Sequence, residues 1–341
     1  MQRKAYKLKA GSLSNLQLVT EELPDPHPTE VTVEVKAVGL NFADIFAIWG
    51  LYAATPEGVF TPGLEYSGVI ARVGTEVQGL KKGDRIMGVT RFGGYTSHLN
   101  IDHRYVVPLP EDWGFAEGAA FLVQVLTAYY GLVNLGDLQP GQTVLIHSGG
   151  GGVGLMANRI AKKYDAFTIG TIGRPDKQAL LEQEGYDRVI VRSGNFEQDL
   201  KQALGGRSLN LIMECIGGKI LKIGYKQMAP MGRMITYGSA RYASVGNRPN
   251  YFKLLYYFFT RPKIDPQTMT SDNKSVMAFN LIFLFQHAEL MHQMLEGIRQ
   301  LDLTKPLVGH RFAFDQLKDA ILLFQTGKTT GKVILEVKNG A

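Results

Sequence analysis

Residues 149–154 read GGGGVG. They contain the spacing G-x-G-x-x-G as Gly149, Gly151 and Gly154, with Gly152 and Val153 between the last two. A short apolar run, TVLIHS at 143–148, precedes them, and a helical pattern over 153–164 follows. A dinucleotide pyrophosphate needs that order of strand, turn and helix. Glycines let the backbone approach the ligand, and the helix N-terminus offers free N–H groups and a positive dipole end. A loop that only packs is the alternative, and the strand–turn–helix context favours binding.

The end of the next strand chooses the cofactor. An NAD site places an acid there for the ribose 2′-hydroxyl. Residues 170–173 are Gly-Thr-Ile-Gly, and Arg174, Pro175, Asp176 and Lys177 follow. No acid ends the strand at Gly173. The cations Arg174 and Lys177, with Arg192 after the third strand, suit a 2′-phosphate, so NADPH is expected over NADH. Cations that only solvate a surface are the alternative. Tyr237, Gly238 and Ser239 follow the fifth predicted strand, at the carboxyl edge where such sheets bind ligands.

Elements that position these residues fall into two textures. Over 1–108 short strand-like runs are separated by glycines, with EVTVEVKAV at 30–38 alternating cleanly. That pattern predicts a twisted, barrel-like antiparallel region. From about 115 helices and strands alternate: 143–148, 166–171, 188–191, 209–215 and 232–238 read as strands. They predict a doubly wound parallel sheet. SVMAFNLIF at 275–283 reads as one more strand, with a helix over 284–300. Strand-like pieces return near 307–314 and 332–337. The expected class is α/β, with parts of a barrel-like domain at 1–124 and 285–341 around a nucleotide-binding domain at 125–284. Residues 241–275 break the rhythm. Their aromatic run YFKLLYYFF is expected to pack internally; capping of a substrate cleft and packing within a dimer are alternatives, and membrane contact a minor one.

Composition bounds the rest. The chain has 341 residues, 45% hydrophobic and 20% charged, enough for a sizeable core. A net charge of +6 without a basic cluster argues against nucleic acid as a partner. One cysteine, Cys215, permits neither an internal disulfide nor a thiolate zinc cluster. The N-terminus has basic residues but no apolar run after them, and no stretch of 18 apolar residues occurs. A cytoplasmic protein is expected.

GLNFADI (39–45), PGLEYSG (62–68), GDR (83–85), LTAYYGL (126–132), VLIHSGGGGVG (144–154) and TGKVIL (330–335) occur in this order. In them the chain resembles the medium-chain dehydrogenase/reductase superfamily, and more narrowly its zeta-crystallin-like quinone oxidoreductases. Residues 261–285 further resemble the vesicle-amine-transport-protein-like branch. The resemblance implies a GroES-like catalytic domain split around a Rossmann domain, an active site in the cleft between them, and a homodimer. Zinc-dependent relatives carry a Cys within the segment Val38–Asp44 and a His beside Glu65. Here Asn41, Asp44 and Leu64 stand there instead, so no catalytic zinc is expected. The resemblance places Asn41 and Thr127 near the nicotinamide ribose and carboxamide, and Lys332 among the cofactor contacts. It makes Tyr52 a donor or wall for the substrate, and Asp44 either catalytic or an acceptor of backbone N–H groups. His147 is expected to pack. The implied reaction is zinc-independent hydride transfer from NADPH to a quinone or conjugated enone. An enoyl-thioester reductase and an NADPH-binding, membrane-associated protein with little catalysis are the alternatives.

Overall fold

A computed structural model describes residues 1–338. The first half is built from β1 (Gln2–Lys9), β2 (Gln17–Glu22), β3 (Glu30–Gly39), β4 (Val59–Phe60), β5 (Glu65–Val73), β6 (Arg85–Val89), β7 (His98–Asp102) and β8 (Val106–Pro108), with helix α1 (Phe42–Trp49) after β3. In β3 the alternation behaves as expected. Val31, Val33 and Val35 are buried against Tyr6, Ile70 and Leu99, while Glu34 and Lys36 on the other face stay half-buried. Strands β1, β2 and β4 form a small sheet. The larger one runs β15-β16-β3-β5-β6-β8, with β7 also on β3. Here β15 (Val308–Ala313) and β16 (Lys332–Glu336) come from the far end of the chain, and β16 pairs antiparallel with β3 at Ile334↔Gly39.

Between these halves lie α2 (Phe115–Gly118), α3 (Leu122–Tyr129) and a parallel sheet of β9 (Thr143–Ile146), β10 (Phe167–Ile172), β11 (Arg188–Val191), β12 (Leu209–Glu214), β13 (Met228–Thr236) and β14 (Ser275–Ala278). Its spatial order is β11-β10-β9-β12-β13-β14. Helices α4 (Gly152–Lys163), α5 (Gln178–Gln183), α6 (Phe196–Leu204) and α7 (Gly218–Gln227) make the crossovers. All of β9 is buried, as its unbroken Thr-Val-Leu-Ile run requires of a strand covered on both faces.

Three expectations are corrected. The run 275–283 is not one strand: β14 stops at Ala278, and Asn280, in extended backbone, starts the short α10 (Leu281–Leu284). Return to the first sheet comes later than residue 285. α11 (Ala288–Gln300) buries Met291, Met294 and Ile298 in the core shared with α3 and the nucleotide sheet, and the chain rejoins the first sheet at β15. Finally, the aromatic run does not pack internally. It forms α8 (Tyr251–Phe259), which has no fully buried residue and leaves Phe252 89% and Phe259 74% exposed. It is anchored through Tyr257, which meets the Tyr242 ring and carries Arg241 over its face. Residues between α8 and β14 form α9 (Pro266–Asp272), and α12 (Leu317–Gln325) lies between β15 and β16. The helical run Phe115–Leu135 is long and apolar enough to cross a membrane, but it is mostly buried in the protein.

Candidate active site

A cleft of about 580 Å³ runs between the two halves at the carboxyl ends of the parallel strands. The glycine turn forms one wall. A Cβ at Gly154 would stand 2.7 Å from Gly149 Cα, so only glycine lets the helix start this close to the turn. Gly151 caps α4 in extended backbone, and a Cβ there would meet only Ser148 O, at 3.3 Å. Gly150, Gly151, Gly152, Val153 and Gly154 line the cleft. Gly149 stands behind that wall, where the site of a Cβ is taken by Leu181 and Tyr186. No acid lies in the first turn of α4, so nothing opposes an anion at its N-terminus. Gly331 N donates to Gly150 O at 2.9 Å and ties the turn to β16.

At one end of the cleft Gly173, Arg174, Lys177 and Arg192 come together. Arg174 is half-exposed and pairs with Asp176 at 3.0 Å. Lys177 reaches across the cleft, its Nζ donating to Gly327 O at 2.8 Å and Thr329 O at 2.5 Å. Arg192 Nη1 donates to Thr171 Oγ1 at 2.9 Å. Burial lowers the Lys177 pKa; Asp176 opposes that, and the like charges of Arg174 and Arg192 add to it. Three cations therefore converge beside a strand end that carries no acid, an arrangement that an anion relieves.

Toward the middle stands a buried polar cluster. Glu65 Oε1 accepts from Lys332 Nζ, from Asn41 Nδ2 at 3.0 Å and from Gln124 Nε2 at 3.1 Å. Asn41 Oδ1 accepts from Gln124 Nε2 at 2.9 Å and Lys332 Nζ at 2.7 Å. Burial lowers the Lys332 pKa against the opposing pull of Glu65. Asp44, one turn along α1, accepts the Asn41 backbone N–H and the Tyr95 hydroxyl, each at 2.7 Å, and does not line the cleft. Burial raises its carboxyl to about 6, although both hydrogen bonds pull the other way.

Thr127 lines the cleft while its hydroxyl donates to Val123 O at 2.6 Å. At the far end the Tyr52 hydroxyl donates to Asn280 Oδ1 at 2.6 Å, joining the two halves. Leu64, Val123, Phe279, Leu281, Ile282 and Phe285 make the walls here apolar. Tyr237, Gly238 and Ser239 line the cleft after β13, close to Cys215. Among the described residues, no three His, Cys, Asp or Glu side chains stand together as metal ligands would.

Sequence reasoning missed Glu65, Gln124, Tyr95 and Asn280. Glu65 lies inside a motif already singled out, whereas Gln124 and Asn280 sit among apolar residues with no local signal. His147, expected to pack, is fully buried with a polar neighbour at each ring nitrogen: its Nδ1 is 2.8 Å from Thr171 Oγ1, within hydrogen-bond reach, and its Nε2 is 3.3 Å from Glu214 Oε2, without hydrogen-bond alignment.

This architecture, a barrel-like domain split around a doubly wound sheet with the cleft between, is shared with known proteins. Residues 27–111 match the alcohol dehydrogenase GroES-like domain, and 152–279 match the zinc-binding dehydrogenase family. The chain belongs to the medium-chain dehydrogenase/reductase superfamily, in its zinc-free quinone-oxidoreductase-like group and VAT-1-like branch. It is 32% identical over 90% of its length to the synaptic vesicle membrane protein VAT-1 homolog of Danio rerio, and spans 64% of that protein. It is 31% identical to the Homo sapiens relative of that name, over 92% of this chain and 80% of the relative. Among solved structures, human VAT-1 homolog-like protein superposes with a TM-score of 0.85 at 26% identity, covering 100% of both chains. CurK enoyl reductase gives 0.85 at 27%, over 99% and 100%. The quinone oxidoreductase of Thermus thermophilus, solved also with NADPH, gives 0.79 at 27%, over 98% and 99%. The family to which the chain belongs is one of oxidoreductases.

Proposed function

We propose that the protein reduces a quinone or conjugated enone with NADPH, without zinc. The convergence of Arg174, Lys177 and Arg192 on an acid-free strand end, beside a glycine turn opening into the same cleft, carries this reading. The residues present fit the cofactor. Backbone N–H groups at the start of α4 would take the pyrophosphate. The three cations would take the 2′-phosphate. Gln124 Oε1, buried on the cleft wall with no partner among the described residues, would accept from a ribose hydroxyl. Asn41, held by Gln124 and Lys332, and Thr127 would face the nicotinamide end. NADPH, when bound there, supplies the hydride.

The protein's own part is alignment, exclusion of water and stabilisation of the oxygen that becomes anionic. Apolar walls at the Tyr52 end exclude water, and the Tyr52–Asn280 pair is the polar group placed there to meet a carbonyl oxygen. With the Tyr52 hydroxyl proton committed to Asn280 Oδ1, the amide nitrogen of Asn280 is the donor this pair offers, and Tyr52 orients it. Burial raises the Tyr52 pKa above the ordinary phenol value, so Tyr52 does not act as a base. Conjugated acceptors are already electrophilic, so hydride transfer to them needs no Lewis acid. Pairing of two copies through β14, the edge strand of the parallel sheet, is part of the same proposal. A turnover panel of quinones, enals and enoyl thioesters with NADPH tests the reading. Quinones or enones should be reduced fastest. Preference for enoyl thioesters would replace the substrate assignment, and no acceptor-dependent NADPH oxidation would refute catalysis.

A further inference from the structure

The parallel strands lie in the order β11-β10-β9-β12. One polar residue stands at the carboxyl end of each, in the same order: Arg192 just after β11, Thr171 in β10, His147 just after β9 and Glu214 ending β12. Thr171, His147 and Glu214 are fully buried. Apolar side chains would serve the sheet at these positions at less desolvation cost.

Hydrogen-bond bookkeeping gives the row a direction. Arg192 has only donors, so Thr171 Oγ1 accepts from it at 2.9 Å. The Thr171 hydroxyl can donate to His147 Nδ1, 2.8 Å away, or accept there through its second lone pair. The Glu214 carboxylate, whose Oε2 stands 3.3 Å from Nε2, selects the first arrangement by drawing the imidazole proton to Nε2. These last two atoms are not aligned for a hydrogen bond, and neither has another partner among the described residues. The other oxygen, Glu214 Oε1, accepts from Ile216 N at 2.5 Å and Gly217 N at 2.7 Å, which anchors the carboxylate. Burial works against the Arg192 charge, and Glu214 is among the groups that oppose this. A cation facing the cleft is thus backed by a polarised row ending in a fixed carboxylate.

We propose that Thr171, His147 and Glu214 are positioning residues that hold the Arg192 guanidinium for the 2′-phosphate and thereby set the preference for NADPH over NADH. This rests on the NADPH reading above. The alternative is a row that only stabilises the sheet, which would affect both cofactors alike.

Calorimetric titration of the full chain with NADPH and with NADH separates them, using wild type, Thr171→Val, Thr171→Ser and Glu214→Gln. Thr171→Val should weaken NADPH binding by about tenfold and leave NADH within about twofold. Thr171→Ser, which keeps the hydroxyl, should restore the wild-type ratio. Glu214→Gln should lower the ratio too, because an amide donor then faces His147 Nε2 and reverses the row. Nitrogen-15 shifts of His147 should report the Nε2–H tautomer in wild type and its loss in Glu214→Gln. Equal weakening of both cofactors in Thr171→Val, no change in either, or a serine variant that behaves like valine would overturn the proposal. If the valine variant does not fold, Glu214→Gln decides by the same ratio. A wild type without NADPH preference would remove the cofactor reading and this inference together. A wild type with that preference and an unchanged Thr171→Val would refute the inference alone.

Discussion

Replacement of Arg192 by alanine is the sharpest test of how the cleft distinguishes its cofactors. NADPH and NADH differ by one phosphate, so discrimination has to come from groups that meet it. The three cations are not equivalent. Arg174 is half-exposed and already paired with Asp176, so solvent and its neighbour both screen it. Lys177 has two of its three donors committed to Gly327 O and Thr329 O. Arg192 is the more enclosed, and only Nη1 is spent, on Thr171. Charge-assisted hydrogen bonds are worth about 1.5–3 kcal/mol, or roughly 10- to 150-fold in affinity. Wild type should prefer NADPH by at least about tenfold, a preference that shrinks with added salt. Arg192→Ala should remove most of it while NADH binding changes by less than about threefold. Arg174→Ala should cost only about 2- to 5-fold, as expected of an exposed, paired charge. Isothermal titration of each variant with both cofactors gives these numbers. Equal losses for NADPH and NADH in Arg192→Ala, or a larger effect from Arg174→Ala, would refute the ranking. A wild type that favours NADH would refute the cofactor assignment.

Gly151→Val should fold normally, since its backbone suits any residue and a Cβ meets only Ser148 O, yet it should weaken NADPH and NADH alike by more than about tenfold. Fluorescence titration checks this, and unchanged affinity would mean the pyrophosphate does not pass here. Gly152→Val is a poorer probe, because its Cβ would stand 2.7 Å from Gln124 Cγ and disturb the Glu65 cluster as well. Asp44 binds its proton more tightly in the folded state, with a pKa raised to about 6 from 3.8. Stability should therefore fall as pH rises from about 4 to about 6, by up to about 3 kcal/mol, and then level off. Asp44→Asn keeps an oxygen for Asn41 N–H and Tyr95 and should flatten that fall, which urea melts at pH 4.5 and pH 7 would reveal. Elemental analysis should find no stoichiometric zinc, and chelators should leave turnover unchanged; one tightly held zinc per chain would contradict the zinc-free reading.

Elements governed by local pattern were legible from the amino-acid sequence. Unbroken apolar runs between helical stretches specify a parallel sheet, and the valines alternating along β3 specify a half-buried strand. Gly149–Gly154 was legible because a tight strand–turn–helix leaves no room for side chains, as at Gly154. The missing acid at Gly173 and the cations after it are also local facts. Tertiary structure decided whatever depends on neighbours distant in the chain. Glu65, Asn41, Gln124 and Lys332 form one cluster only because β16 returns to pair with β3, and α3 packs beneath it. Helix α8 shows the reverse: an aromatic run reads as core, but burial needs a partner surface, and the fold supplies one only around Tyr257. Arg192, Thr171, His147 and Glu214 illustrate the limit most plainly. Each is an isolated polar residue at a strand end, separated from the next by about twenty residues or more. They become a row only because parallel strands bring their carboxyl ends to one edge, in an order different from that of the chain.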